Sequence, residues 1–233
     1  MWRSVSQGLA AAIVAGAILI PGGASSARDA EVDLALVLAL DCSASVDGRE
    51  FAQQMQGLGL AFQRKDVQEA IHQGKLHRIA VSVVQWSGMG NQATVIPWTV
   101  IASGNDATRF GAVLSVTPRG LEPTATSISS ALLYADSLLG QAPVAARQLI
   151  DVSADGPNNI GPSLAAARDR LVGEGIIING LAIENEWRSL KAYMEDAVAG
   201  GEGHFVIRAG SYDDYADAIA RKLVREITGP GIS

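Results

Sequence analysis

Residues 32–45 read Val32-Asp33-Leu34-Ala35-Leu36-Val37-Leu38-Ala39-Leu40-Asp41-Cys42-Ser43-Ala44-Ser45. The run is almost unbroken hydrocarbon until it stops on a carboxylate, followed by hydroxyls at alternate positions. An apolar run without alternation fits a strand covered on both faces, as parallel strands are. Polar residues just beyond such a strand stand at its carboxyl end, where open α/β sheets place their ligands. On its own, an Asp-Ser pair there serves equally well as a cap for the next helix. The surrounding sequence has to decide between a cap and a site.

Moving outward, Asp47 to Glu50 has the D-x-x-E form of a helix start, and Phe51, Met55, Leu58 and Phe62 repeat at helical spacing. Residues 78–86 read as a second strand and 93–98 as a third, joined by a Gly88-Met89-Gly90-Asn91 turn into an antiparallel hairpin. Pro97 lacks a ladder donor, which puts that third strand at an edge. Ile128, Ala131, Leu132, Ala135 and Leu139 mark a helix. Residues 147–154 follow as a strand, Leu164 to Leu171 as a helix, and 175–183 as another buried strand. Leu190, Met194 and Val198 form a helical stripe ended by Gly200-Gly201. A last strand covers 204–209, and Ser211-x-x-Asp214 caps a final helix bearing Tyr215, Ile219 and Leu223. Strands alternating with helices predict a doubly wound, Rossmann-like, mostly parallel six-stranded sheet, with one antiparallel edge strand and helices on both faces.

The first 27 residues stand apart. Arg3 precedes a twelve-residue apolar stretch from Leu9 to Ile20, Pro21-Gly22-Gly23 breaks it, and Ser25 and Ala27 offer small residues for cleavage. Twelve residues are too few for a bilayer span, which takes ~20. Residues 1–27 are therefore expected to be an export signal and 28–233 a single domain, periplasmic rather than fully secreted. The chain carries a formal charge of −6 and no cluster of Lys or Arg, which argues against nucleic-acid binding. Cys42 is the single cysteine, so no intramolecular disulfide forms and the core must hold by packing.

Three loops that follow strands, or lead into a helix at the same sheet edge, share one chemistry. Asp41, Ser43 and Ser45 follow the first strand, Thr124 and Thr126 precede a helix, and Asp155 follows the fourth strand. All are small oxygen donors. Oxygen ligands of low total charge suit a hard cation, and Mg²⁺ (or Mn²⁺) held by two carboxylates stays electrophilic towards an external carboxylate.

These motifs resemble the metal-ion-dependent adhesion site of von Willebrand factor type A domains. The D-x-S-x-S is that of Asp41, Ser43 and Ser45, Thr126 stands five residues before Ala131-Leu132, and Asp155-Gly156 follows the fourth strand. The element order is similar from about residue 32 to 228. "IDVSADGPNN", "AIENE" and "GGEGHF" look like an exported bacterial branch without assigned function. The resemblance implies that Asp41, Ser43, Ser45, Thr126 and Asp155 bind the metal, and that an Asp or Glu of a partner protein completes its coordination. Where the family has Gly-Gly-Thr, this chain has Gly120-Leu121-Glu122-Pro123-Thr124-Ala125-Thr126, so Thr124 is an alternative ligand and Glu122 can approach the metal. Asn158 and Asn159 are rim candidates.

Other residues carry blander expectations. Asp151, a charge in mid-strand, should bond backbone amides or Arg147, or else support the metal loop from behind. Cys42 is expected to be a small buried filler with no cation beside it. His72 and His77 fall in a loop between helix and strand, on a solvated surface. Trp86 and Trp98 sit at strand ends as packing residues.

No enzyme is expected. A phosphatase of the haloacid dehalogenase type needs a second carboxylate where Ser43 stands, and neither a G-x-S-x-G elbow nor a G-x-G-x-x-G turn is present. The alternatives to a metal-dependent binding module are a metal-dependent hydrolase on a similar sheet and a metal-free scaffold.

Overall fold

A computed structural model describes residues 30–229; the expected export signal lies outside them. The elements run β1 (Val32–Asp41), α1 (Gly48–Gln63), α2 (Lys65–Gln73), β2 (Ile79–Trp86), β3 (Gln92–Ile101), α3 (Gly104–Val116), α4 (Ile128–Leu139), β4 (Ala145–Ala154), α5 (Leu164–Gly173), β5 (Ile177–Ile183), α6 (Leu190–Ala197), β6 (Val206–Ala209), a 3-10 turn (Tyr212–Asp214) and α7 (Tyr215–Thr228). They build one sheet in the order β3-β2-β1-β4-β5-β6. Only β3 runs antiparallel, against β2, and it is an edge strand as Pro97 requires.

The continuous apolar run is the centre of that sheet, hydrogen-bonded to β2 on one side and β4 on the other. Its alternate residues serve two cores. Leu34, Leu36, Leu38 and Leu40 meet Phe51, Met55, Leu58 and Phe62 of α1 and Ile219 and Leu223 of α7. On the opposite face, Ala35, Val37 and Ala39 leave room for Ile128, Leu132 and Leu139 of α4 and Met194 of α6. The chain leaves β1 towards β2 first and reaches β4 only later, so the strand order reverses between β1 and β4. The crevice beyond their carboxyl ends is the switch point where such sheets bind ligands, and Asp41 and Asp155 flank it.

Asp47 starts α1 as expected. Its side chain accepts from the N–H groups of Arg49 and Glu50, and Glu50 accepts from the Asp47 N–H in return. The final helix starts differently: 212–214 is a 3-10 turn, and neither Ser211 nor Asp214 makes a side-chain cap.

Two helices escaped the sequence pattern. An extended Arg64 breaks the chain after α1, and a separate α2 follows, so His72 lies in a helix rather than a loop. Helix α3 packs through buried Ala107, Phe110 and Leu114 and also by close backbone approach. A Cβ on Gly59 would stand 2.5 Å from the Gly111 oxygen, and one on Gly111 would stand 2.3 Å from the Gly59 oxygen.

Asp151 also departs from expectation. It pairs with neither Arg147 nor backbone amides. Lys222 of α7 places its Nζ 2.7 Å from Asp151 Oδ1, close enough for an ion pair though off hydrogen-bond alignment. Lys222 also donates to Glu226 Oε1, which accepts from Asn179 Nδ2 at 2.9 Å, and all four residues are buried. Arg147 instead donates to the carbonyls of Glu226 and Ile227 at the end of α7. Among the described residues, no helix is long and apolar enough to cross a membrane.

Candidate metal centre

The β1–α1 loop turns tightly on its own aspartate. Ser43 N donates to Asp41 Oδ1 at 2.7 Å, which leaves Oδ2 buried without a hydrogen-bond partner. The Ser43 and Ser45 hydroxyls are 3.1 Å apart, and Ser45 Oγ donates to Asp155 Oδ1 at 2.6 Å. A line of oxygens thus runs from Ser43 through Ser45 to Asp155, bridging the loops after β1 and β4 across the 110 residues between Ser45 and Asp155. Tyr212 OH donates to Asp155 Oδ2 at 3.2 Å from the far side.

Burial dominates the electrostatics. It pushes the Asp41 carboxyl up to about 7, helped by the charge of Asp155 and opposed by the bond from Ser43. Burial also raises Asp155, against the hydrogen bonds of Ser45 and Tyr212, and the charge of Glu186 adds to the rise. The Tyr212 hydroxyl is raised by burial and by Asp155, Asp41 and Glu50, so it stays protonated and serves Asp155 as a donor. Two carboxylates here repel each other and sit poorly solvated; a cation between them would relieve both effects.

The threonine loop is held from both sides. Asn159 Oδ1 accepts from Thr126 N at 3.0 Å, Asn159 N donates to the Thr126 carbonyl at 2.9 Å, and Asn158 Oδ1 accepts from Ser129 N at 3.0 Å. The two asparagines therefore fasten the Asp155 loop to the start of α4. Ala44 N donates to the Thr124 carbonyl at 2.8 Å, which ties the same segment to the first loop. The two threonines differ in what their hydroxyls do. Thr124 Oγ1 accepts from Gly88 N and lies 2.9 Å from Ser87 Oγ, committed to the β2–β3 turn. Thr126 is buried, and its hydroxyl has no such engagement. Glu122 is exposed and touches the turn through its backbone carbonyl, which accepts from Asn91 Nδ2 at 2.9 Å.

Several supports have no local sequence signal. Gln54 Nε2 donates to the Asp41 carbonyl at 3.1 Å. Glu50 Oε1 accepts from Asn185 Nδ2 at 2.9 Å, joining the start of α1 to the β5–α6 loop that carries Glu186. Arg119 donates to the Val46 carbonyl at 2.6 Å and lies over the Phe51 ring. It also brings a positive charge near Cys42, a neighbour that local sequence could not reveal. Burial still wins and pushes the thiol up to about 12, so Cys42 is an inert filler. Trp86 is buried and Trp98 Nε1 donates to the Leu138 carbonyl at 3.1 Å, so both pack as expected.

The donor set is thus two carboxylates with hydroxyls. Among the described residues, no three His, Cys, Asp or Glu side chains gather as a metal cluster. Such a set fits a hard cation that keeps part of its water shell. The orphaned Asp41 Oδ2, facing no donor of its own chain, is the atom that most needs one.

Residues 31–231 match one family model, described as a protein of unknown function (DUF1194). No curated protein matches in sequence. Among solved structures, proximal thread matrix protein 1 of the mussel byssus superposes with a TM-score of 0.60 at 17% identity, over 86% of this chain and 49% of that one. The chain therefore spans about half the length of that relative, which is also known with a zinc-occupied MIDAS motif, the metal-ion-dependent adhesion site. A von Willebrand factor type A protein of Catenulispora acidiphila gives 0.58 at 17% identity, over 84% of this chain and 43% of that one. The vWF domain of the pilus tip protein Mfa5 of Porphyromonas gingivalis gives 0.55 at 11% identity, over 87% and 98%. The fold is that of a type A domain.

Proposed function

Because the chain belongs to the DUF1194 family and has the type A fold, we propose that it is an exported, non-enzymatic protein-binding module with a divalent-cation site. Asp41, Ser43, Ser45, Thr126 and Asp155 hold Mg²⁺ or Mn²⁺, and a partner protein supplies an Asp or Glu carboxylate. The observation that carries this reading is the buried, unpartnered Asp41 Oδ2 beside a line of hydroxyls ending on Asp155. When bound, the cation neutralises the two aspartates and presents a positive face to an acidic group. Without it the same aspartates repel that group. The solved neighbours support the class of function: one bears a metal in its MIDAS motif and another belongs to a pilus tip. Asn158 and Asn159 act as struts of the threonine loop, and Thr124 and Glu122 as its outer wall. Asp151 belongs to the α7 charge cluster. Residues 1–27 are removed on export to the periplasm, leaving residues 28–233 as one domain.

A metal-free scaffold is the second reading, favoured by the direct Ser45–Asp155 bond, which closes the site on itself. Calorimetric titration with Mg²⁺ and Mn²⁺ separates the two. The wild type is expected to bind one ion and Asp41→Ala none. Absence of binding in the wild type hands the case to the scaffold, and metal-dependent turnover of phosphate esters would restore the hydrolase. Mass spectrometry of protein recovered from the periplasm should find Arg28 as the first residue.

A further inference from the structure

Large apolar side chains left in water are ordinary when scattered and informative when gathered. Met89, Ile160 and Trp187 are 65%, 43% and 52% exposed. Each stands on a different loop at the carboxyl edge of the sheet; two of these loops are hydrogen-bonded to the threonine segment of the candidate metal centre and the third to the start of α1. Met89 follows Gly88, whose N–H is held by Thr124 Oγ1. Ile160 follows Asn159, which is bonded both ways to the Thr126 backbone. Trp187 follows Glu186, whose charge acts on Asp155, and Asn185, which is bonded to Glu50. Loops pinned in this way hold their apolar tips in fixed places, so little ordering cost remains on binding.

We propose that these three residues form an apolar rim around the metal centre, and that its occupant is a polypeptide segment with aromatic or aliphatic side chains on either side of the coordinating carboxylate. The inference rests on the metal-site reading above. Charge complementarity selects the segment. Asp41, Asp155 and Glu186 make the bare face negative, so an acidic segment approaches only with the cation in place. Apolar contacts then add affinity without adding like charge. A tryptophan at such a rim, able to bury against a partner, is the residue type most often dominant at interfaces.

The test is selection of random twelve-residue peptides displayed on phage against the whole protein in Mg²⁺, with elution first by EDTA and then by acid. Enriched peptides are expected to carry Asp or Glu within three positions of Phe, Trp, Leu or Ile. Trp187→Ala should weaken the best synthetic peptide about ten-fold, and the triple variant Met89→Ser, Ile160→Ser, Trp187→Ala should abolish binding, with Mg²⁺ affinity by calorimetry unchanged. EDTA-eluted acidic peptides without apolar neighbours, or undiminished binding to the triple variant, overturn the rim and leave the metal site standing. Peptides that need Trp187 and ignore EDTA sustain the rim and remove the metal. Enrichment of basic peptides, or of none, overturns the rim.

Discussion

The buried charges under α7 make the most quantitative prediction. Glu226 shares Lys222 with Asp151, so two carboxylates face one ammonium in the core, with Asn179 beside them. Burial first, and Asp151 second, push the Glu226 carboxyl from 4.5 up to about 7, while Lys222 and Asn179 pull the other way. The sign follows from which state loses its proton first. Below pH 4.5 both folded and unfolded chains carry the proton and the group is neutral to stability. Between 4.5 and 7 the unfolded chain releases it earlier, so stability falls by about 1.4 kcal/mol per pH unit. Above 7 the full penalty, about 3 kcal/mol as an upper bound, is in place. Glu226→Gln keeps the acceptor for Lys222 and Asn179 and removes the charge. Urea unfolding in EDTA at pH 5 and pH 8 should find the variant close to wild type at the lower pH and more stable by as much as about 3 kcal/mol at the higher. Contributions of Asp41 and Asp155 are common to both proteins and cancel in the difference. A variant less stable than wild type at pH 8, or a difference that does not change between the two pH values, would refute the reasoning.

Three further outcomes are expected. Tyr212→Phe removes the donor to Asp155 Oδ2; Mg²⁺ affinity by calorimetry should fall about ten-fold, as for other supports of metal ligands, and an unchanged affinity would show that Asp155 needs no such hold. Gly59→Ala forces a Cβ to 2.5 Å from the Gly111 oxygen, a backbone atom that cannot yield alone; a loss of about 1–3 kcal/mol and several degrees of melting temperature is expected by calorimetry. Cys42, buried with its thiol pushed up to about 12, should resist iodoacetamide at pH 8 and react fully in urea, as followed by mass spectrometry; rapid labelling of the native protein would show an opening of the first loop.

How far the fold was legible depended on what each element packs against. Strands β1, β2, β4 and β5 are buried on both faces and therefore write themselves as apolar runs. Helices α1, α4 and α7 lay large side chains on the sheet and show the helical stripe. Helix α3 has a buried stripe of Ala107, Phe110 and Leu114, but its close approach to α1 through Gly59 and Gly111 sets a glycine on that face and leaves the stripe short. The break at Arg64 shows only as a shift of the apolar phase, from Phe62 to Val67, Ala70 and Ile71, a stripe too short to stand out.

The candidate site divides along the same line. Its candidate ligands could be picked out because they lie at fixed steps from strand ends: Asp41, Ser43 and Ser45 follow one strand, and Asp155 follows another. Which threonine keeps a disengaged hydroxyl could not be, because the answer depends on Ser87 and Gly88, more than thirty residues earlier, taking up the Thr124 hydroxyl. Asp151 went astray for the same reason. Its partner Lys222 lies 71 residues on, at a helical position that any surface lysine could occupy, and only the docking of α7 carries it into the core. Local sequence therefore discloses groups whose position follows from a single element, and conceals those whose meaning depends on two elements meeting. Tyr212, Gln54, Arg119 and Glu186 are all of the second kind. The candidate ligands can be copied onto another sheet edge from a motif alone, whereas the hydrogen bonds that orient Asp41 and Asp155 cannot. That difference makes Tyr212→Phe a sharper probe of this particular chain than removal of any ligand.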